Sequence, residues 1–176
     1  EADARFLNKQ IERGHLEGEP VEPLYTTSDV VRMLELMVAV PYHRWIEVAH
    51  GVRARFLDAG HVLGSAIVEL DVRDGATTKR VVFSGDLGRR AMPILRDPEI
   101  PERADLLLLE STYGDRLHPP REEMDASLAA IVRRTVERGG KVIVPTFALE
   151  RAQEIILSLK ASQQAGAIPD VPVVVD

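Results

Sequence analysis

The sequence predicts an α/β protein, with strands concentrated between residues 44 and 109 and alternating helices and strands after residue 114. Two observations predict this class. Short runs of β-branched and apolar residues, separated by turn signals, fill the first region. Amphipathic helical patterns, each followed by a run of β-formers, fill the second. We therefore predict one domain in residues 1–114 and the beginning of another in residues 115–176.

Two helices are predicted before the first strand. Glu1–Gly14 carries its apolar residues at helical spacing. A second helical pattern begins at Thr27 or Ser28, whose side-chain oxygens suit an N-cap. This helix should end before Pro41, because proline cannot donate the backbone hydrogen bond that a helix interior requires.

Five short strands are predicted next. They are Arg44–Val48, Val52–Leu57, Ala66–Val72, Lys79–Phe83 and Leu106–Leu109. The third and fourth should form a hairpin, because Asp74-Gly75 between them is a strong turn signal. The last is wholly apolar, which is typical of a strand buried on both faces of a sheet.

The chain after residue 114 predicts helices and strands in alternation. Its pattern indicates a helix over Arg121–Arg138, ended by a glycine pair, and a strand over Lys141–Val144. A second helix over Ala148–Ser162 and a strand over Val171–Val175 follow. This order is typical of a separate α/β domain.

The composition of the 176 residues is that of an acidic chain without cysteine. Its formal net charge of −6 disfavours a generic basic coat for nucleic acid, and its 45% hydrophobic content favours a packed core. Any metal site must therefore use His, Asp or Glu. The sequence has no apolar run of membrane-spanning length and no recognisable signal peptide, so we expect no membrane partner and a cytoplasmic location.

Three predicted strands are each followed by a residue that can bind a metal. His61 follows the second strand, Asp86 the fourth and Glu110 the fifth. A strand fixes the backbone, and the loop after it leaves the side chain free to converge on a site. One imidazole together with carboxylates suits zinc or a similar divalent ion.

Each of these three residues also has a structural interpretation. A lone histidine in an apolar run such as FLDAGHVLGSAIVEL is more often a hydrogen-bonded core residue than a ligand. Asp86 can serve as a turn residue or a helix cap. Glu110 can form an ion pair with Arg116. The spacing alone leaves both kinds of interpretation open.

Four motifs, taken in order, carry a resemblance to a known family. GHVLGSA, FSGDLGR, LLLESTYGDRLH and GGKVIVPTFALERAQEI resemble consecutive motifs of the metallo-β-lactamase-fold nucleases that carry a β-CASP domain. That family includes the pre-mRNA 3′-end endonuclease and many bacterial and archaeal ribonucleases. The resemblance covers about residues 25–176. It implies part of a metallo-β-lactamase αββα sandwich in residues 1–114 and the first part of an inserted β-CASP α/β domain in residues 115–176.

The resemblance also implies roles for the three strand-end residues. His61 would be a ligand of one zinc ion, and Asp86 would bridge two zinc ions. Glu110 would act in catalysis with Asp86 by orienting a histidine from a later motif. The implied reaction is hydrolysis of RNA phosphodiester bonds by a metal-activated hydroxide, endonucleolytic with a 5′-exonuclease activity as a second mode. A pair of divalent ions suits such a displacement.

Three further residues are candidate substrate contacts. Arg116 suits a substrate phosphate, His118 suits the lining of a cleft, and Arg151 adds positive charge at a helix N-terminus. Arg116 and His118 can instead tie the two domains together, which is the role we favour for Tyr113. RNA is the expected partner, and a homodimer is a further expectation.

One signature of the family is missing from the sequence. The HxHxDH loop, which supplies most zinc ligands, is absent, since none of the five histidines forms an H-x-H pair. We therefore expect a central fragment of a longer enzyme, which alone binds zinc weakly or not at all and has no nuclease activity. Two alternatives stay open: an inactive scaffold subunit of an RNA-processing complex, and a small-molecule metallo-hydrolase of the same fold, such as a lactonase or thioesterase.

Overall fold

The computed structural model describes residues 1–147 and 149–175, and of Glu122 it describes the backbone alone. Within these ranges no helix is both long enough and apolar enough to cross a membrane.

The chain divides into two compact units, Glu1–Val40 and Pro41–Asp176. The first contains both helices predicted there, α1 (Ala2–Glu12) and α2 (Thr27–Glu35). The domain boundary that the sequence predicts near residue 114 lies inside the second unit and stays a prediction.

The N-cap of α2 is Thr26, one residue before the earlier of the two predicted positions. The Thr26 hydroxyl oxygen accepts a hydrogen bond from the Asp29 N–H, and the Asp29 carboxylate accepts one from the Thr26 N–H at 2.8 Å. The prediction of Thr27 or Ser28 is wrong because this reciprocal pair satisfies two free backbone donors at once. The helix ends at Glu35, earlier than the following proline requires.

A five-stranded sheet forms the first part of the second unit. Its strands are β1 (Ile46–Ala49), β2 (Val52–Asp58), β3 (Ala66–Asp74), β4 (Thr77–Phe83) and β5 (Leu106–Leu108). They lie in chain order; β1 to β4 are antiparallel neighbours, and β5 is parallel to β4. The predicted hairpin is confirmed, because Asp74 pairs with Thr77 and Gly75 adopts the positive φ of +58° that the turn needs.

This topology brings the ends of three strands to one edge of the sheet. β2 and β4 run in the same direction because β3 lies antiparallel between them, and β5 is parallel to β4. The register places Phe83 at the end of β4 beside Leu108 at the end of β5. The loops that carry His61, Asp86 and Glu110 therefore leave the sheet at the same edge.

A network of charged side chains crosses β2, β3 and β4. Glu69 is fully buried and pairs with Arg55 at 2.5 Å, and Asp71 accepts hydrogen bonds from Arg80 at 2.8 and 3.0 Å. The hydrogen-bonded Arg80 guanidinium lowers the pKa of Asp71 below its usual range. Arg55 and Arg80 also lie 4.8 and 5.1 Å from the ring centroid of Trp45, within range of a cation–π contact.

Two clusters of buried apolar residues stabilise the second unit. One includes residues of the sheet and of the loops at its edge: Leu57, Ala59, Ile67 and Val82, with Leu87 packed against them. The other joins α3 (Arg121–Glu137) to α4 (Arg151–Gln164). Its buried residues are Ala129, Val132 and Ile168, with Leu128, Val136, Leu159, Ala167 and Val171 at its margin.

Two strands predicted in the second half of the chain do not form. Lys141–Val144 and Val171–Val175 have no regular secondary structure and are largely exposed. A strand requires a neighbour to pair its backbone groups, and neither run has one among the described residues. The helix predicted from Ala148 begins at Arg151, and Ala148 itself lies outside the described residues.

β5 is more exposed than the sequence predicts. Its residues Leu106, Leu107 and Leu108 are exposed by 56%, 51% and 46%. β5 is one of the two edge strands of the sheet, and its contacts with other described elements are those with β4. The prediction of burial on both faces is therefore wrong for the described chain. The described residues form a mixed α/β fold, and the two-sheet αββα sandwich stays a prediction.

Candidate active site

The loops after β2, β4 and β5 bring His61, Asp86 and Glu110 close together. His61 Nε2 lies 4.0 Å from Asp86 Oδ2, which is too long for a hydrogen bond but places the two donor atoms side by side. Both side chains reach solvent, with exposed fractions of 39% for His61 and 75% for Asp86. His61 is therefore not the buried core residue that its apolar sequence context also allowed.

Hydrogen bonds fix the backbone of the His61 loop. Gly60 adopts a positive φ of +61°, which glycine tolerates, and its N–H donates to Asp58 Oδ1 at 2.8 Å. The Ser65 hydroxyl oxygen accepts hydrogen bonds from the N–H groups of His61 at 3.0 Å and Val62 at 3.2 Å. The serine of the GHVLGSA motif thus holds the turn from which the imidazole projects.

Gly88 joins the His61 loop to the Asp86 loop. Its N–H donates a hydrogen bond to the Ala59 carbonyl at 2.8 Å. A Cβ atom at this position would lie 1.6 Å from the Gly60 carbonyl oxygen and 2.7 Å from the His61 backbone nitrogen. The two backbones approach as closely as glycine alone permits, so this contact helps to set the separation of His61 and Asp86.

The Glu110 carboxylate holds the Asp86 loop to the end of β5. Its Oε1 atom accepts a hydrogen bond from the Leu87 N–H at 3.0 Å, and its Oε2 atom accepts one from the Thr112 N–H at 3.1 Å. The hydrogen bond from Leu87, followed by those from Thr112, lowers the pKa of Glu110 below its ordinary value. Glu110 is therefore an ionised acceptor at neutral pH, with both oxygens engaged by backbone donors.

Ser84 is a second link between β4 and β5, and the sequence pattern did not single it out. Its buried side-chain oxygen accepts a hydrogen bond from the Glu110 N–H at 3.0 Å, and its own N–H donates to the Leu108 carbonyl at 2.9 Å. The available signal was a hydroxyl residue directly after a strand, since serine readily bonds to nearby backbone groups.

Replacing Glu110 by glutamine should destabilise the chain at neutral pH by about 1 kcal/mol. The amide offers one oxygen where the carboxylate offers two, so one of the N–H groups of Leu87 and Thr112 loses its acceptor. The lowered pKa of Glu110 means that the carboxylate contributes stability above its ordinary pKa of 4.5 and loses it as the pH falls through the lower folded-state pKa. Urea unfolding of both proteins at several pH values measures this difference.

Glu123→Gln is the matched control for that substitution, because Glu123 is an exposed carboxylate on α3. It should change the free energy of unfolding by less than about 0.5 kcal/mol. A Glu110→Gln effect that equals the control, or that persists unchanged in acid, would show that the carboxylate does not hold the Asp86 loop.

The described residues supply two zinc donors but not a complete zinc site. Zinc binds nitrogen and carboxylate oxygen at about 2.0–2.2 Å, so atoms 4.0 Å apart lie near the limit for sharing one ion. Zinc sites use three or four protein ligands, and both oxygens of Glu110 already accept backbone hydrogen bonds. Among the described residues no group of three His, Cys, Asp or Glu side chains is arranged to hold a metal ion.

The candidate substrate contacts lie in two different places. Arg116 and His118 both lie against Tyr113, just after Glu110 in the chain. The ion pair that Arg116 forms is with Asp115 at 3.4 Å, not the predicted one with Glu110. Arg151 is the first residue of α4, where its guanidinium pairs with Glu154 at 2.6 Å.

A shallow depression of about 620 Å³ adjoins the strand ends. Its polar lining includes Asp86 and Glu110, and its apolar lining includes Phe83, Leu108 and Leu109. The depression exposes the carboxylate of Asp86 to any molecule that approaches this edge of the sheet.

The fold and these side chains define an α/β protein with a solvent-open, charged site at one edge of its sheet. Ribonuclease TTHA0252 of Thermus thermophilus is 39% identical over 155 residues, which are 88% of this chain and 34% of the ribonuclease. Endoribonuclease YSH1 of Eremothecium gossypii is 38% identical over 143 residues, 81% of this chain and 18% of that protein. Transcription termination factor FttA of Thermococcus kodakarensis is 34% identical over 171 residues, 94% of this chain and 25% of the factor. No family model matches the sequence.

These similarities agree with the resemblance that the motifs carry. Over most of its length the chain is homologous to ribonucleases of the metallo-β-lactamase-fold family with a β-CASP domain. The chain spans about a third or less of the length of these curated relatives, with 34%, 18% and 25% covered.

Proposed function

We propose that the whole protein is a ribonuclease that hydrolyses RNA phosphodiester bonds at the site of His61, Asp86 and Glu110. The convergence of the three side chains carries the proposal, with His61 Nε2 4.0 Å from Asp86 Oδ2. The relatives named ribonuclease and endoribonuclease support RNA as the substrate and favour internal cleavage.

Electrostatics indicate that such a site needs a cation. Asp86 and Glu110 are carboxylates at one sheet edge, and a phosphodiester carries a negative charge of its own, so the three groups repel one another. A bound divalent cation reverses this local balance. We therefore include zinc in the proposal, as two ions per complete site with His61 and Asp86 among the ligands and the remaining ligands supplied from outside this chain.

The residues of this chain have separate tasks under this proposal. Asp86 presents an oxygen donor to the solvent-open depression, and His61 presents a nitrogen donor 4.0 Å from that oxygen. Glu110 holds the Asp86 loop through the Leu87 N–H, and Ser84 holds the Glu110 backbone. Zinc, when bound, supplies positive charge for the phosphate and acidifies water so that hydroxide forms at neutral pH.

The test is cleavage of a 5′-labelled single-stranded RNA by the whole protein in the presence of zinc and after chelation. We expect internal cleavage products that appear with zinc and disappear with the chelator. Intact RNA at every zinc concentration, from a folded protein that still binds the RNA, would contradict the ribonuclease proposal.

A non-catalytic scaffold subunit is the second candidate. The observation that favours it is the shortage of metal ligands among the described residues. It predicts RNA binding without cleavage in the same experiment, so one assay separates the two candidates. A small-molecule hydrolase of the same fold has no support from the names of the relatives.

A further inference from the structure

Three side chains in the loop after Glu110 form an exposed stack, here called the Tyr113 cluster: Tyr113, Arg116 and His118. The ring centroids of Tyr113 and His118 lie 4.3 Å apart at an interplanar angle of 41°, and the Arg116 guanidinium carbon lies 4.7 Å from the Tyr113 centroid. Tyr113 is 49% exposed, and Arg116 and His118 are exposed as well. The stack is therefore not part of a hydrophobic core.

The loop that carries the Tyr113 cluster is tied to the candidate active site at both ends. At its start, the Thr112 N–H donates to Glu110 Oε2 at 3.1 Å. At its end, the Pro119 carbonyl accepts a hydrogen bond of 3.2 Å from Arg89, which lies three residues after Asp86. The loop that carries the cluster therefore begins and ends at residues that are bonded to the loops of the candidate active site.

The chemistry of the cluster suits an unpaired nucleobase. Bases of single-stranded nucleic acid stack on aromatic rings and on guanidinium planes, whereas the bases of a duplex are already stacked and paired. Arg116 pairs with Asp115 at 3.4 Å, but both side chains are largely exposed, and such pairs contribute little. A neighbouring phosphate can compete for this guanidinium.

We propose that the Tyr113 cluster is a stacking site for one base of single-stranded RNA that passes the Asp86 and Glu110 edge of the sheet. This inference rests on the proposed ribonuclease function, because it takes RNA as the substrate. It assigns Tyr113 and His118 to the base and Arg116 to an adjoining phosphate. A cluster that only holds its own loop together needs neither an exposed stack nor a position beside the site.

The test compares two fluorescent oligonucleotides on the full chain without added metal: a ten-residue uridine RNA and an abasic ribose-phosphate of equal length and charge. Anisotropy titrations at one salt concentration give the two dissociation constants. We expect the chain to bind the uridine RNA about tenfold more tightly, the effect of stacking one base. In Tyr113→Ala this preference should disappear, and in Tyr113→Phe, which keeps the ring, it should remain. Arg116→Ala should weaken binding of both oligonucleotides equally.

Tyr25→Ala is the matched control, because Tyr25 is 64% exposed and lies in the other compact unit of the chain. It should leave the preference for bases unchanged. An undiminished preference in a folded Tyr113→Ala protein overturns the inference and leaves the ribonuclease proposal intact. If the wild-type chain shows no preference for the base-bearing RNA, the stacking-site inference is also wrong. The ribonuclease proposal is tested separately, by RNA cleavage with the whole protein.

Discussion

Replacing Gly88 by alanine is expected to destabilise the second unit by about 3 kcal/mol or more. The new Cβ atom would lie 1.6 Å from the Gly60 carbonyl oxygen and 2.1 Å from its carbonyl carbon. Both are backbone atoms, so no flexible side chain can move aside. Relief of the clash must separate the two loops, which also breaks the hydrogen bond from the Gly88 N–H to the Ala59 carbonyl.

The separation of these loops should disrupt the candidate active site as well as the fold. His61 follows Gly60 directly, and Asp86 lies two residues before Gly88, so their side chains move apart when the backbones do. Urea unfolding followed by circular dichroism measures the stability, and RNA cleavage by the whole protein measures the site. We expect both to fall, and cleavage to stay low even at temperatures where the variant is fully folded.

Gly75→Ala is the control for a glycine that matters only through its backbone conformation. Gly75 has a φ of +58° and open space around its Cβ position. Alanine there should cost about 1 kcal/mol, the usual penalty for a left-handed residue. A Gly88→Ala protein as stable as Gly75→Ala would mean that the two site loops do not need their close contact.

The strands β1 to β4 could be predicted because the information they need is local. Each pairs with the strand that follows or precedes it in the chain, and the turn between Asp74 and Thr77 fixes the register of one pair. The runs Lys141–Val144 and Val171–Val175 have the same residue types but no partner strand among the described residues. Residue type indicates that a segment suits a strand, but pairing depends on distant parts of the chain.

Part of the candidate site could also be predicted from local sequence, namely the residues that follow the strand ends. The rule that functional side chains follow strand ends places His61 and Asp86 at one edge, which the topology explains through the shared direction of β2 and β4. Gly88 and Ser84 did not stand out, because their importance comes from close approach between loops that are distant in sequence. Such contacts leave no periodic pattern for a sequence to show.

Glu110 illustrates the limit of assigning a partner from sequence. An ion pair with Arg116 was one expectation, and an interaction with a histidine beyond this chain was another. The structure gives both of its oxygens backbone partners, the N–H groups of Leu87 and Thr112. Backbone donors are present at every residue, so the sequence cannot indicate which of them a carboxylate will meet. The proposed orientation of a later histidine stays a prediction.

The substitution Asp86→Ala should abolish RNA cleavage by the whole protein, with a loss of at least about 10³-fold, while leaving the fold intact. The Asp86 side chain is 75% exposed, so its removal creates no cavity and should change the free energy of unfolding by less than about 0.5 kcal/mol. His61→Ala removes the neighbouring nitrogen donor and should also lower both cleavage and the zinc content measured by elemental analysis.

His50→Ala and Asp170→Ala are the matched controls, because both residues are exposed and neither lies in the three strand-end loops. They should keep the cleavage rate and the zinc content of the unmodified protein. The comparison with these controls shows whether zinc binding and RNA cleavage depend on His61 and Asp86 in particular. If Asp86→Ala and His61→Ala lose zinc and cleavage while the two controls keep both, the result supports a metal-dependent ribonuclease. The lost side chains are exposed and contribute little to stability, so their effect on cleavage must come from the reaction itself. Zinc content and cleavage that ignore both substitutions would mean that the convergence of His61 and Asp86 has no part in the chemistry.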